Sequence, residues 1–182
     1  DVRWILDPID GTKSFMQGVP LYGVLVGVEV GGEPVVGVIH LPALDETVSA
    51  AVGLGCRWNG RYASVSAVEA VEEAVVLTTD EERIRSGSEA PGWVELSSRA
   101  RMVRTWGDCY GHYLVATGRA DVMVDPVLAA WDAAPLLTIL TEAGGRYTDL
   151  SGRSDVHGGS GVSTNGVLHE DVLEILGRRP RS

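Results

Sequence analysis

The chain has 182 residues, 45% of them hydrophobic and 22% charged, enough for one substantial domain or two small ones sharing a core, and unlike a disordered polymer. A formal net charge of −10 argues against a nucleic-acid or anionic-membrane surface. The two cysteines, Cys56 and Cys109, are too few and too far apart for a disulfide framework or a zinc knuckle, and read as reduced thiols of a cytoplasmic protein.

A greasy strand from Trp4 stops at Asp7, and Lys13 to Gln17 forms a short helical turn after it. Leu21 to Val30 is a valine-rich strand, Gly31-Gly32-Glu33-Pro34 a turn, and Val35 to Leu41 the returning strand of a hairpin. Glu46 to Val52 follows as a strand, and Asn59-Gly60 between Cys56-Arg57-Trp58 and Arg61-Tyr62-Ala63 signals a type I′ hairpin. Residues 1–71 are therefore expected to be an antiparallel-sheet subdomain.

Residues 72–182 change pattern. Strands are expected at Ala74 to Thr79, Met102 to Trp106, Ala120 to Val124, Arg146 to Leu150 and Gly161 to Thr164. Helices are expected from Asp108 to about Thr117, from Trp131 to Ala143 with a stop at Gly144-Gly145, and from His169 to Leu176. Asp80 to Ala100 is polar and reads as helix or loop, Gly152 to Gly161 as a flexible loop. Alternating strands and helices imply a layered α/β subdomain. No run of about 18 apolar residues marks a membrane span, and the basic cluster Arg178, Arg179 and Arg181 reads as a solvated tail.

The chemistry concentrates in WILDPIDGTKSF, Trp4 to Phe15. Pro8 keeps Asp7 extended, Gly11 permits a sharp turn, and Thr12 is placed to N-cap the turn Lys13-Ser14-Phe15. A helix start favours phosphate, but Asp7 and Asp10 would repel it unless a hard divalent cation such as Mg²⁺ lay between. A plain turn with a helix cap is the simpler reading of this stretch alone. WDAAPLLTILTEAGG, Trp131 to Gly145, supplies a third acid, Asp132, at the start of a helix that tolerates Pro135 in its first turn.

Together, DPIDGTKSF and WDAAPLLTILTEAGG resemble the two signatures of the inositol monophosphatase family, and the resemblance runs through VATGRAD and Ser163-Thr164-Asn165-Gly166. It implies an α-β-α-β-α sandwich and Mg²⁺-dependent hydrolysis of a small-molecule phosphate monoester. It also implies that Asp7 and the Ile9 carbonyl bind one metal, and that Asp7, Asp10 and Asp132 bind a second. Asp10 and Thr12 would be catalytic, Thr12 orienting the attacking water, and the Gly11 and Thr12 amides would hold phosphate. The resemblance suggests a homodimer.

WGDCYG, Trp106 to Gly111, looks like the histidinol-phosphatase branch, with Asp108 and Asp125 as acceptors for the ammonium and imidazole of histidinol phosphate. Each acid has a structural alternative, Asp108 as a helix N-cap and Asp125 as a turn before Pro126. His112 and Tyr113 read as ordinary helix residues, and His40, His157 and His169 lack ligand spacing. An inositol-1-monophosphatase or a broader sugar or nucleotide phosphatase would use the same centre, and a non-catalytic metal- or phosphate-binding relative would keep only the fold. A haloacid-dehalogenase-type site would place its two acids two residues apart, whereas Asp7 and Asp10 are three apart.

The family also has a glutamate upstream of DPIDGT that completes the first metal site. Six residues precede Asp7 here, and none is Glu. The expectation is a C-terminal two-thirds of a larger phosphatase, binding one Mg²⁺ where the complete site takes two or three, with weak turnover and an apolar sheet face left open.

Overall fold

The computed structural model describes residues 1–177; the basic cluster Arg178, Arg179 and Arg181 lies outside them. Strands β1 (Val2–Asp10), β2 (Gly23–Val30), β3 (Glu33–Leu41), β4 (Glu46–Ala51), β5 (Gly55–Trp58) and β6 (Arg61–Tyr62) form an antiparallel sheet in sequence order. Helix α1 (Thr12–Met16) leaves the end of β1. Asn59 and Gly60 both take positive φ, 46° and 79°, as the type I′ hairpin requires. The expected four-residue turn contracts to Gly31-Gly32. Both glycines have positive φ, so they close the hairpin alone, and Glu33 and Pro34 already pair in β3.

The second sheet is mixed, in the order β10 (Arg146–Thr148), β11 (Gly161–Thr164), β9 (Val122–Asp125), β7 (Val75–Thr78), β8 (Met102–Arg104). Strand β7 runs parallel to β8 and β9, and β11 antiparallel to β9 and β10. Helices α4 (Asp108–Ala116) and α5 (Ala130–Glu142) lie between the sheets in a core with Leu25, Ile39, Val48, Met123 and Tyr147. On the other face of the second sheet, α2 (Glu81–Ser86), α3 (Ala90–Arg99) and α6 (His169–Gly177) close a second core around Trp93, Leu96 and Val122. The result is the expected layered α/β sandwich. On the outer side of the first sheet, alternate residues Val2, Trp4 and Leu6 are 64%, 66% and 57% exposed.

One contact sets how far α5 sits from the first sheet. Gly27 and Gly37 are cross-strand partners in β2 and β3. A Cβ on Gly37 would stand 2.2 Å from the Pro135 carbonyl oxygen, and one on Gly27 2.7 Å from the Ala134 Cβ. The helix backbone therefore rests directly on the strand backbones, which only glycine permits. Ala ordinarily suits a strand better than Gly, so Gly37→Ala tests the contact by sign. It should destabilise the protein, by about 3 kcal/mol for an overpacked core, as read by urea unfolding. Wild-type stability or better would show that α5 is not held by this approach.

Candidate active site

Asp7 and Asp10 stand at the end of β1, where pairing with β2 slips between Asp7↔Leu25 and Asp10↔Gly23. The slip frees the strand end to bend around Pro8. The Asp7 Oδ1 accepts the Ile9 N–H at 2.9 Å, and the Ile9 carbonyl accepts the Thr12 hydroxyl at 3.0 Å. This corrects the expected cap. Gly11, with φ 77° and ψ 38°, is the N-cap of α1, and Thr12 is its first helical residue. The Thr12 side chain turns back to Ile9 because that carbonyl lies within its reach. A side chain on Gly11 would also come within 2.9 Å of the Leu21 carbonyl oxygen.

Asp10 is buried, and its Oδ2 accepts the Cys109 N–H at 2.6 Å from the first turn of α4. Burial raises its pKa above the usual carboxylate range, while the Cys109 bond opposes the rise. Asp132 does not open α5. The helix begins at Ala130, and Asp132 accepts the Ala129 N–H at 3.3 Å through Oδ2, satisfying a first-turn donor from three residues on.

These elements bring Asp7, Asp10 and Asp132 together, with one carboxylate oxygen from each lying within 4.8 Å of the others. Among the described residues, the Asp132 Oδ1 is buried with no hydrogen-bond partner. Burial first, then Asp7 and Asp10, push the Asp132 pKa up to about 8. Crowded acids with an orphaned buried oxygen are the donor set of a hard divalent cation, and a cation among them would relieve both defects. The donor set fits Mg²⁺ or Ca²⁺ and lacks the nitrogen and sulfur ligands of a structural zinc site.

The three acids open into a cavity of about 470 Å³ whose wall includes Gly11, Thr12, Asp80, Asp108 and Trp131. Lys13 is the one basic side chain among the residues lining it. Asp108 is the first residue of α4, with Gly107 as N-cap, so its carboxylate is not spent on capping. Its φ is +52°, a conformation that costs a non-glycine residue energy and concentrates at functional sites. The Thr79 Oγ1 accepts its N–H at 2.8 Å. Burial, with the charges of Asp10 and Asp125, raises its pKa to about 6, against opposition from His112 and Lys13.

Asp125 ends β9 behind this wall, only 2% exposed. It accepts from His112 Nε2 at 3.1 Å, and His112 Nδ1 lies 2.8 Å from the Ser163 hydroxyl. His112 is thus no ordinary helix residue. Only its position on the inner face of a helix that carries Asp108 could have signalled this in the sequence. Asp80 is a second addition to the cavity wall, though its Oδ1 caps α2 by accepting the Arg83 N–H. His40 pairs with Thr47, and His169 is buried between the Thr148 and Thr164 hydroxyls, away from the acidic cluster. No helix among the described residues is long and apolar enough to cross a membrane.

The family model of the inositol monophosphatase family matches residues 1–180. The chain is 43% identical over 180 residues to the histidinol-phosphatase of Chlorobaculum parvum, covering 98% of this chain and 70% of that protein. It is 39% identical to the histidinol-phosphatase of Mycobacterium tuberculosis, covering 96% and 69%. The solved IMPase of Thermotoga maritima superposes with a TM-score of 0.86 at 33% identity, covering 97% of this chain and 68% of that one.

Asp132 gives a test of the cluster that needs no turnover. Its folded pKa of about 8 lies above the ordinary carboxylate value of 3.8, so between those pH values the unfolded state releases a proton that the folded state keeps. The group therefore costs stability increasingly as pH rises from about 4 to about 8. Asp132→Asn removes that cost. In metal-free buffer at pH 8 its Tm should exceed wild type by on the order of 2–4 °C, a shift worth about 1 kcal/mol in a chain of this size, after allowing for partial solvent screening. Adding Mg²⁺ should raise the Tm of wild type and not of the variant. Equal shifts in both proteins would place the cation elsewhere.

Proposed function

The chain belongs to the inositol monophosphatase family, and we propose that it is a Mg²⁺-dependent phosphatase that hydrolyses L-histidinol phosphate to L-histidinol and phosphate. The observation that carries the reaction is the convergence of Asp7, Asp10 and Asp132 at one end of a cavity, with the Asp132 Oδ1 unpartnered. A divalent cation held there would neutralise phosphoryl charge and make water nucleophilic near neutral pH.

The chain's own groups divide the remaining work. Asp7 and Asp10 from β1 and Asp132 from α5 would hold the cation, with the Ile9 carbonyl a further oxygen donor. The amides of Gly11 and Thr12, at the start of the α1 turn, line the cavity and would receive phosphate oxygens there. The Thr12 hydroxyl, already donating to Ile9, is placed to orient water beside the acids. Lys13 adds the positive charge that the anion meets on entering an otherwise acidic cavity.

The substrate assignment rests on the acids beyond the cation cluster and on the likeness to two histidinol-phosphatases. Inositol offers only hydroxyls, whereas histidinol phosphate presents an ammonium and an imidazole, which pair with carboxylates through charge-assisted hydrogen bonds. Asp108 lines the cavity and Asp125 stands close behind it.

Purified protein assayed on histidinol phosphate, inositol 1-phosphate and 3′-phosphoadenosine 5′-phosphate, with and without Mg²⁺, tests the reading. Histidinol phosphate should be the preferred ester, and only with the cation. Preference for either other ester would overturn the substrate, and cation-independent turnover would overturn the mechanism. Asp108→Asn should then raise KM for histidinol phosphate about ten- to a hundredfold, the loss of a hydrogen bond to a charged group, and raise that for inositol 1-phosphate much less. Asparagine tolerates the same positive φ, so the comparison reads charge and not backbone strain. Equal losses on the two esters would make Asp108 structural.

A further inference from the structure

The buried chain Ser163–His112–Asp125 joins three elements, and the catalytic reading above uses only its last member. Ser163 lies on β11, His112 on α4 and Asp125 at the end of β9; their exposures are 0%, 1% and 2%. An ionised carboxylate only accepts hydrogen bonds, so the 3.1 Å contact requires the proton on His112 Nε2. On the other side of the ring, the Ser163 hydroxyl lies 2.8 Å from Nδ1 and holds it there.

The cost of this arrangement is what makes it informative. A buried carboxylate needs compensation, and among the described residues Asp125 has none from lysine or arginine. His112 bonds only Oδ2, and Oδ1 takes no hydrogen bond from the described residues. The pair also lies within electrostatic reach of the cavity wall, since the Asp125 charge raises the Asp108 pKa and His112 lowers it. A fold needing only a filled core would place an apolar pair here.

We propose that His112 is a positioning residue: held by Ser163, it fixes the Asp125 carboxylate through one oxygen and leaves the other for a cationic nitrogen of the leaving group. The inference rests on the substrate reading above and assigns to that site a specificity device formed by two residues that do not touch substrate. Without the imidazole the carboxylate would be free to turn, and the preference for a cationic ester would weaken while the cation cluster stayed intact.

Two amide substitutions separate positioning from packing. His112→Gln places an N–H donor about where Nε2 stands and keeps the bond to Asp125. His112→Asn reaches only the Nδ1 position, keeping a partner for Ser163 and abandoning Asp125. The quantity read is the ratio of kcat/KM for histidinol phosphate to that for inositol 1-phosphate, with L-histidinol affinity measured by calorimetry. His112→Asn should lower the ratio about tenfold, chiefly through KM, and weaken L-histidinol to match, as expected for a lost bond to a charged group. His112→Gln should stay within about threefold of wild type, and Ser163→Ala should fall between the two. Should His112→Asn not fold by circular dichroism, Ser163→Ala reads the tether from its other end, and an unchanged ratio there overturns the proposal. Equal losses in Asn and Gln, or a loss in Asn shared equally by both esters, would reduce His112 to a packing residue. A wild-type protein with no preference for histidinol phosphate would overturn the substrate reading and the tether with it. A clear wild-type preference that His112→Asn leaves unchanged would overturn the tether alone.

Discussion

The approach of α5 to the paired glycines Gly27 and Gly37 is the constraint on which the site depends. Pro135 and Ala134 meet the strand backbones with no side chain between them. Asp132 lies less than one turn before those residues, so the helix start is carried to the end of β1, where Asp7 and Asp10 project. A side chain at either glycine would force the helix away from the sheet and shift Asp132 relative to the acids of β1. At the proposed Mg²⁺ site, metal–oxygen bonds of about 2.0–2.1 Å would leave little room for that error. The close packing of an apolar interface thereby sets the geometry of a polar one.

The same closeness places like charges together at a cost to the fold. Asp132 holds its proton to a pH of about 8, and Asp108 to about 6. Asp108 also occupies left-handed backbone that its type adopts only with local support, here from the Thr79 hydroxyl. Such defects are what the proposed site for a cation and an anionic ester would accept in place of stability. The Cys109 N–H on Asp10 and the Ala129 N–H on Asp132 offset part of the repulsion with fixed donors from two helix starts.

Much of this was legible in the chain. DPIDGT announces a strand end, a forced turn and two acids, and Asn59-Gly60 and Gly144-Gly145 mark a hairpin and a helix stop that the structure contains. What could not be read was set by partners distant in sequence. Nothing local distinguishes Thr12 as a cap from Thr12 as a first helical residue, because the outcome turns on Gly11 entering the left-handed region. Gly27 and Gly37 look like weak points in valine-rich strands until α5 is seen resting on them. His112 reads as a helix residue because its partners lie 13 and 51 positions away on two strands.

Neither sheet owns the site. A division after residue 71 separates the sheets in sequence, yet Asp7 and Asp10 come from one side of it and Asp132 and Asp108 from the other. Helix α5 packs on β2 and β3 of the first sheet and on β10 of the second, so it cannot follow one without straining its contact with the other. Asp121 adds a second tie: it accepts the Ser66 hydroxyl from the connecting segment and the Val75 N–H from β7, while Asn165 donates to the Val68 carbonyl. Hinge motion between the sheets would part the carboxylates, and a packed core resists such graded deformation. Access to the cavity therefore falls to its mouth, where Trp131 and the α1 turn are exposed, and not to an opening of the layers.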